Sequence, residues 1–186
     1  MEETTTSGAT ASWFQEAMKK GFILGAIHIF IFVLIYFLMP SKLTGFTYLF
    51  LILAINAGYV IYQGIQWRNA LGGFIGYGNA LMYTFVVLFF NGITTTVFTV
   101  LFIFIDPTLP DTMAQSQLDT SIYWAEKFGA PEASVEKIRD EFNPEDITKR
   151  YKPLGLLTGV GFLSIFYAIG ALIFALFVRK NEPEVM

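Results

Sequence analysis

The sequence predicts an all-α integral membrane protein: a four-helix bundle with a short helical extramembrane cap between the third and fourth spans. Three observations predict it. Of 186 residues, 54% are hydrophobic and only 15% charged, against about 25% charged in a soluble domain, and the mean hydropathy is +0.55. The 12 basic and 15 acidic residues all fall outside four apolar stretches, 21–39, 46–65, 79–105 and 154–178. Those stretches hold 19, 20, 27 and 25 residues, and about 20 helical residues cross the roughly 30 Å hydrocarbon layer. In lipid the backbone must satisfy its own hydrogen bonds, which leaves helices or closed barrels. The unbroken apolar run 29–35 lacks the alternation that a barrel strand requires.

Composition also excludes whole classes of chemistry. There is no cysteine, hence no disulfide, Cys-ligated zinc, iron–sulfur cluster or thiol nucleophile. A single histidine, His28, excludes a multi-His metal site within one chain. The net charge is −3 and the basic residues do not cluster, so no nucleic-acid partner is expected. No cofactor is expected either.

Taken in order, residues 1–20 read as a tail with a short interfacial helix. The capping-box pattern Ser12-Trp13-Phe14-Gln15 would start that helix, and Trp13 and Phe14 would anchor it at the bilayer surface ahead of Lys19 and Lys20. The first span reads as a retained helix. Its apolar run exceeds the 7–15 residues of a signal peptide, and Met39-Pro40-Ser41-Lys42 offers no small-x-small cleavage site. Residues 40–45 close a hairpin onto the second span. The segment 66–79 carries four glycines but no strand before it and no Lys-Ser/Thr pair, so it reads as a compact interfacial turn rather than a phosphate loop.

The three spans of 21–105 end at Asp106-Pro107, because proline cannot continue a helix and restricts the residue before it. Residues 106–152 form the one sizeable extramembrane segment, with ten acidic and six basic residues. A helix is predicted over 110–128, ended by Gly129. A second opens at Ala130-Pro131, with Val135, Ile138 and Phe142 on one side. Asn143-Pro144-Glu145-Asp146 starts a third: Asn as N-cap, Pro at the first position, acids at the positive helix end. The fourth span, 153–180, follows, then a tail over 181–186.

Basic residues near the first and last helices, Lys19, Lys20, Arg179 and Lys180, place both termini in the cytoplasm by the positive-inside rule, although Lys149, Arg150 and Lys152 oppose it. The expected location is the cell inner (cytoplasmic) membrane, multi-pass, with 106–152 on the opposite face.

Within the four stretches there is no Asp, Glu, Lys or Arg, which argues against a proton-coupled antiporter, a voltage sensor or an ion pump. His28 is the ionisable candidate. It shares a helical face with Gly21, Gly25 and Phe32, and glycines on that face let a second helix approach closely. A structural hydrogen-bonding role and a proton- or ligand-carrying role are both open. The second span aligns Tyr48, Asn56, Tyr59 and Gln63; the third aligns Thr84, Asn91, Thr95 and Thr99. Such stripes join helices at about 0.6 kcal/mol per bond, or line a hydrated path. Gly161, Ser164, Ala168, Ala171 and Ala175 form a small-residue strip on the fourth span, suited to tight packing within the bundle or against a second copy.

Leu71-Gly72-Gly73, followed by Ile75-Gly76-Tyr77-Gly78-Asn79-Ala80, resembles the LGGxIxFGxA pattern before the third helix of a bacterial membrane family known as domain of unknown function 4199. Phe104-Ile105-Asp106-Pro107, a charged helical segment and a fourth span continue the resemblance over most of the chain. Tyr77 and Asn79 stand where the pattern more often has Phe and an acidic residue. The resemblance implies a four-helix integral membrane protein and no catalytic residues.

The function expected from these residues is non-enzymatic: an accessory or assembly subunit of a larger membrane complex. Its partners would be the lipid bilayer and other membrane subunits, or a second copy of itself. The alternative is a small oligomeric transporter or channel, with His28, Asn56 and Asn91 along its path. A lipid-modifying enzyme would need a metal cluster, a His pair or a buried acid/base pair, and the sequence offers none.

Overall fold

The computed structural model describes residues 4–182, with side chains from residue 13 onward except at 144. The described residues form seven α-helices: α1 (Thr4–Leu38), α2 (Phe46–Ala70), α3 (Tyr77–Ile105), α4 (Leu109–Lys127), α5 (Glu132–Glu141), α6 (Pro144–Tyr151) and α7 (Pro153–Val178). Four are long and apolar enough to cross a membrane, over Trp13–Leu38, Phe46–Ala70, Tyr77–Ile105 and Pro153–Val178. The chain is a helical membrane bundle.

Local chemistry accounts for the helix ends. Met39 leaves the helical region (φ −149°, ψ 63°) ahead of Pro40, as a residue before proline must, and a 3₁₀ turn over Pro40–Lys42 leads into α2. At the end of α2, Gly72 and Gly73 take φ of 93° and 92°, and the Gly73 N–H donates to the Arg68 carbonyl at 3.0 Å. This six-to-one bond closes the helix in the Schellman manner and needs the left-handed region that glycine enters freely. Gly129 (φ 76°) ends α4 in the same way, the Ala130 N–H reaching the Ala125 carbonyl. Asn143 caps α6 as its sequence requires, its side-chain oxygen accepting from the Glu145 and Asp146 N–H groups. Lys152 is extended (ψ 158°) and separates α6 from α7.

One expectation at the N-terminus is corrected. Ser12 starts no separate helix, because α1 is already helical from Thr4 and runs unbroken to Leu38. Its side chain lies outside the described residues. Nothing in the run from Thr4 to Lys20 breaks a helix, so the interfacial segment and the first span are one element.

The chain divides into two compact units. The first comprises 1–27, 54–95 and 161–186. Its core gathers Leu24, Val60, Trp67, Tyr83, Val87, Ala171, Ala175 and Val178. Trp67 stacks on Tyr83 with centroids 4.4 Å apart and planes 8° from parallel. Glycine permits the closest approaches. A Cβ on Gly21 would stand 2.7 Å from the Phe90 Cβ, and one on Gly25 would stand 2.6 Å from the Thr94 Cβ.

The second unit comprises 28–53 and 96–160. Phe32, Leu43 and Leu109 form its core, with Tyr36, Phe98, Phe102 and Met113 packed against them. Phe32 meets Phe98 and Phe102 edge to face. Within this unit α4 packs on α5, on α6 and on the 3₁₀ turn over Pro40–Lys42.

Candidate functional site

Polar groups are buried in both units, but their hydrogen bonding differs. In the second unit Ser116, Asp106 and Tyr151 are hydrogen-bonded. Ser116 of α4, 1% exposed, accepts from the Thr44 N–H (3.2 Å) and the Thr44 hydroxyl (3.0 Å). It donates in turn to the Ser41 carbonyl at 3.0 Å. One hydroxyl thereby pins α4 to the turn between the first two spans. Asp106, just past α3, accepts from the Tyr36 hydroxyl and from both the N–H (2.9 Å) and hydroxyl (2.6 Å) of Thr108. The Thr108 hydroxyl, then the Tyr36 hydroxyl and the Thr108 N–H, hold its carboxyl below the usual carboxylate range. α6 is tied to α4 by Thr148 donating to Asp111 and by Tyr151 donating to Gln117. Burial pushes the Tyr151 phenol up.

His28 also belongs to the second unit and is buried, at 4% exposure. That agrees with a protein-facing position rather than one in lipid.

In the first unit the pattern reverses. Asn56 and Tyr59 on α2, and Tyr83 and Asn91 on α3, each bury a side-chain oxygen without a hydrogen-bond partner, and Arg68 does so with its Nε. Tyr83 is fully buried and Asn91 is 2% exposed. Glu16 and Tyr59 both lie within electrostatic reach of the Tyr83 hydroxyl. The long helices extend beyond the apolar stretches: Trp13–Leu38 includes Glu16, Lys19 and Lys20, and Phe46–Ala70 includes Arg68. The four apolar stretches themselves stay free of charge; the helices that contain them continue past their ends.

Among the threonines of α3, Thr84 donates across to the Ala171 carbonyl of α7 at 3.4 Å, an interhelical bond of the kind expected. Thr84, Thr94 and Thr95 donate to carbonyls three or four residues back on their own helix, Thr95 to Asn91 and Gly92 at 3.1 Å each. This back-bonding satisfies a hydroxyl in lipid without a second helix. Among the packing residues, Gly21 and Gly25 lie under α3 as expected, and Ala171 is fully buried. Ser164 and Ala168 are half-buried, whereas Gly161 is exposed with open space where a Cβ would stand. The strip on α7 is used within the chain only at its later end, since no described group covers Gly161.

The glycine-rich segment after α2 has a structural task that the sequence alone did not disclose. Ile75 pairs with Lys180 in an antiparallel bridge, with N–H to carbonyl distances of 2.8 and 3.0 Å. The Arg68 guanidinium donates to the Val178 carbonyl at 2.9 Å, a cation at the negative end of α7. The Tyr77 hydroxyl donates to the Leu172 carbonyl at 3.0 Å. Gly64 lets α2 close on Val178 beneath this clamp, with Val178 methyls 2.5 and 2.9 Å from the place of its absent Cβ. The turn was legible as a turn, but a pairing across more than a hundred residues leaves no local signal.

Among the described residues no three His, Cys, Asp or Glu side chains converge to hold a metal ion. What the first unit offers is the buried hydroxyl and amide oxygens of Asn56, Tyr59, Tyr83 and Asn91, of which the Tyr83 hydroxyl feels the Glu16 carboxylate.

No curated protein and no solved structure matches the chain. The family described as protein of unknown function DUF4199 matches residues 19–180. With the four apolar stretches, the LGG turn and the helical cap all inside that match, the chain belongs to this DUF4199 family.

Proposed function

We propose that the protein is a non-enzymatic membrane subunit that works by association, as an accessory or assembly component of a larger complex in the cytoplasmic membrane, with both termini in the cytoplasm. The observation that supports this is the split among span glycines in the first unit. Gly21, Gly25, Gly64 and Gly92 each lie under a neighbour within the chain, whereas Gly58 on α2 and Gly161 on α7 have nothing within 4 Å. Lipid gives helices no hydrophobic drive to associate, so close backbone approach over small residues carries much of the association energy. Uncovered glycines are where a second membrane helix fits.

The test is affinity capture of the full chain from detergent extracts, comparing wild type with Gly58→Leu and Gly161→Leu. A stoichiometric membrane subunit lost in these variants, with unchanged thermal unfolding, supports the proposal. Retention of every partner in both variants overturns it.

The orphaned oxygens of Asn56, Tyr59, Tyr83 and Asn91 favour a second reading, a small oligomeric transporter or channel. A buried polar group without a partner costs several kcal/mol in hydrocarbon, and a hydrated path through the first unit would satisfy all four. A clean homo-oligomer whose solute flux falls in Asn56→Leu and Asn91→Leu would move the assignment to that class.

A further inference from the structure

The second unit contains a concave site outside the buried polar groups described above. A cavity of about 200 Å³ lies between the first interhelical turn and α4, walled by Lys42, Phe46, Asp119, Tyr123 and Trp124. That volume is below the roughly 300–1,000 Å³ of sites for drug-sized ligands, and it is the scale of a headgroup. Its position follows from the chain. The residues between α1 and α2 join two membrane spans, so they lie at the bilayer surface.

The wall chemistry is that of the interface. Tyr123 is 50% exposed and Phe128 is 80% exposed. Phe128 stacks on Trp124, centroids 5.5 Å apart, and Trp124 meets Phe46 edge to face at 5.1 Å. Tyr and Trp rings such as those of Tyr123 and Trp124 settle at headgroup depth. Two cations border the same rings: Lys42 lies 5.5 Å from the Tyr123 centroid, and Lys127 lies 5.6 Å from it and 4.8 Å from that of Trp124. The ion pairs among the described residues are Lys137–Glu141 and Lys149–Asp146. Neither Lys42 nor Lys127 is in one, so both charges are available to an anion.

We propose that this cavity binds the headgroup of a phospholipid, with the phosphodiester between the Lys42 and Lys127 ammonium groups and the glycerol carbons against Phe46 and Trp124. The two lysines, set against the single Asp119 carboxylate in the wall, select the phosphate, and the aromatic floor, which a free anion cannot use, selects the lipid. The bound lipid would fix the docking of α4 at the membrane surface.

The experiment is native mass spectrometry of the full chain in mild detergent, titrated with phosphatidylglycerol and, separately, with inorganic phosphate. Wild type should retain one lipid. Lys42→Gln/Lys127→Gln should weaken binding about tenfold or more, given about 1 kcal/mol for each lysine near an anionic lipid surface. Lys137→Gln, a change on exposed α5, should bind as wild type does. Unchanged circular dichroism and thermal unfolding would show that the double variant folds. Equal lipid retention by the double variant would overturn the proposal. So would displacement of the lipid by inorganic phosphate alone, or a loss in Lys137→Gln as large as in the double variant.

Discussion

Replacing Gly64 with alanine tests the packing under the α7 clamp with a single methyl group. Two effects oppose each other. Alanine is about 1 kcal/mol better than glycine within a helix, which favours the variant. Against it, the new methyl would stand 2.5, 2.9 and 3.3 Å from the Cγ2, Cγ1 and Cβ of Val178. Val178 cannot yield cheaply: it is fully buried, and a β-branched side chain in a helix has one strongly preferred χ1. α2 must instead move away from α7, which strains the Arg68–Val178 bond. Overpacking a tight core costs about 1–3 kcal/mol, so the steric loss outweighs the propensity gain and Gly64→Ala should be destabilised by about 1 kcal/mol. Gly58→Ala is the matched control on the same helix, because nothing lies within 4 Å of its Cβ position; it should be neutral or slightly stabilised. Adding Val178→Ala should recover part of the loss, as a favourable coupling of about 0.5 kcal/mol or more between contacting sites. Reversible unfolding in mixed micelles, followed by tryptophan fluorescence, measures wild type, both glycine variants, Val178→Ala alone and the double variant. Gly64→Ala as stable as Gly58→Ala would refute the reasoning.

Three further outcomes are expected. Because the Asp106 carboxyl is held below its ordinary value of 3.8, its contribution to stability is complete above that value and is lost as pH falls through the lowered one; thermal unfolding followed into acid should show this limb in wild type and a flatter one in Asp106→Asn. Asn143→Ala removes the cap of α6 and should cost about 1 kcal/mol, read as faster amide exchange confined to α6 and its neighbours. His28→Gln should unfold close to wild type and His28→Leu about 1 kcal/mol less stably, with no steep pH dependence between about 5 and 8 in either; an activity lost equally in both at unchanged stability would instead assign His28 a proton.

The parts of this fold that were legible are those with short-range causes. Four apolar runs, Pro107 after α3, Gly129 after α4 and the Asn143-Pro144 start of α6 each act within one helical turn, and each lies where the sequence places it. Hydropathy gives a different quantity from helix length, which is why α1 and α2 carry Glu16 and Arg68 inside their spans although the apolar runs exclude them. The candidate site was legible in residue type and not in partnership. Asn56 and Asn91 stood out as amides in lipid, but only the folded chain shows that the Oδ1 of each is buried without a partner. Thr95 shows the same ambiguity resolved the other way, through the carbonyls of its own helix. Ser116 was passed over because a serine on a charged helix is ordinary until its three bonds to the first turn are seen.

The contrast between the two units bears on where function resides. Ser116 and Asp106 each have three hydrogen bonds, which is what a fold needs from polar groups used as fasteners. Asn56, Tyr59, Tyr83 and Asn91 are not used in that way, since each holds an oxygen without a partner among the described residues. A leucine or phenylalanine at each position would fill the same space without the desolvation cost. Oxygens left in this way offer hydrogen bonds to another polar molecule or to a polar face of a partner helix, the two readings proposed above. Both lead to the same four side chains. Substituting them singly by apolar residues should therefore raise stability in detergent while lowering function in the membrane, a pairing that a purely structural role would not produce.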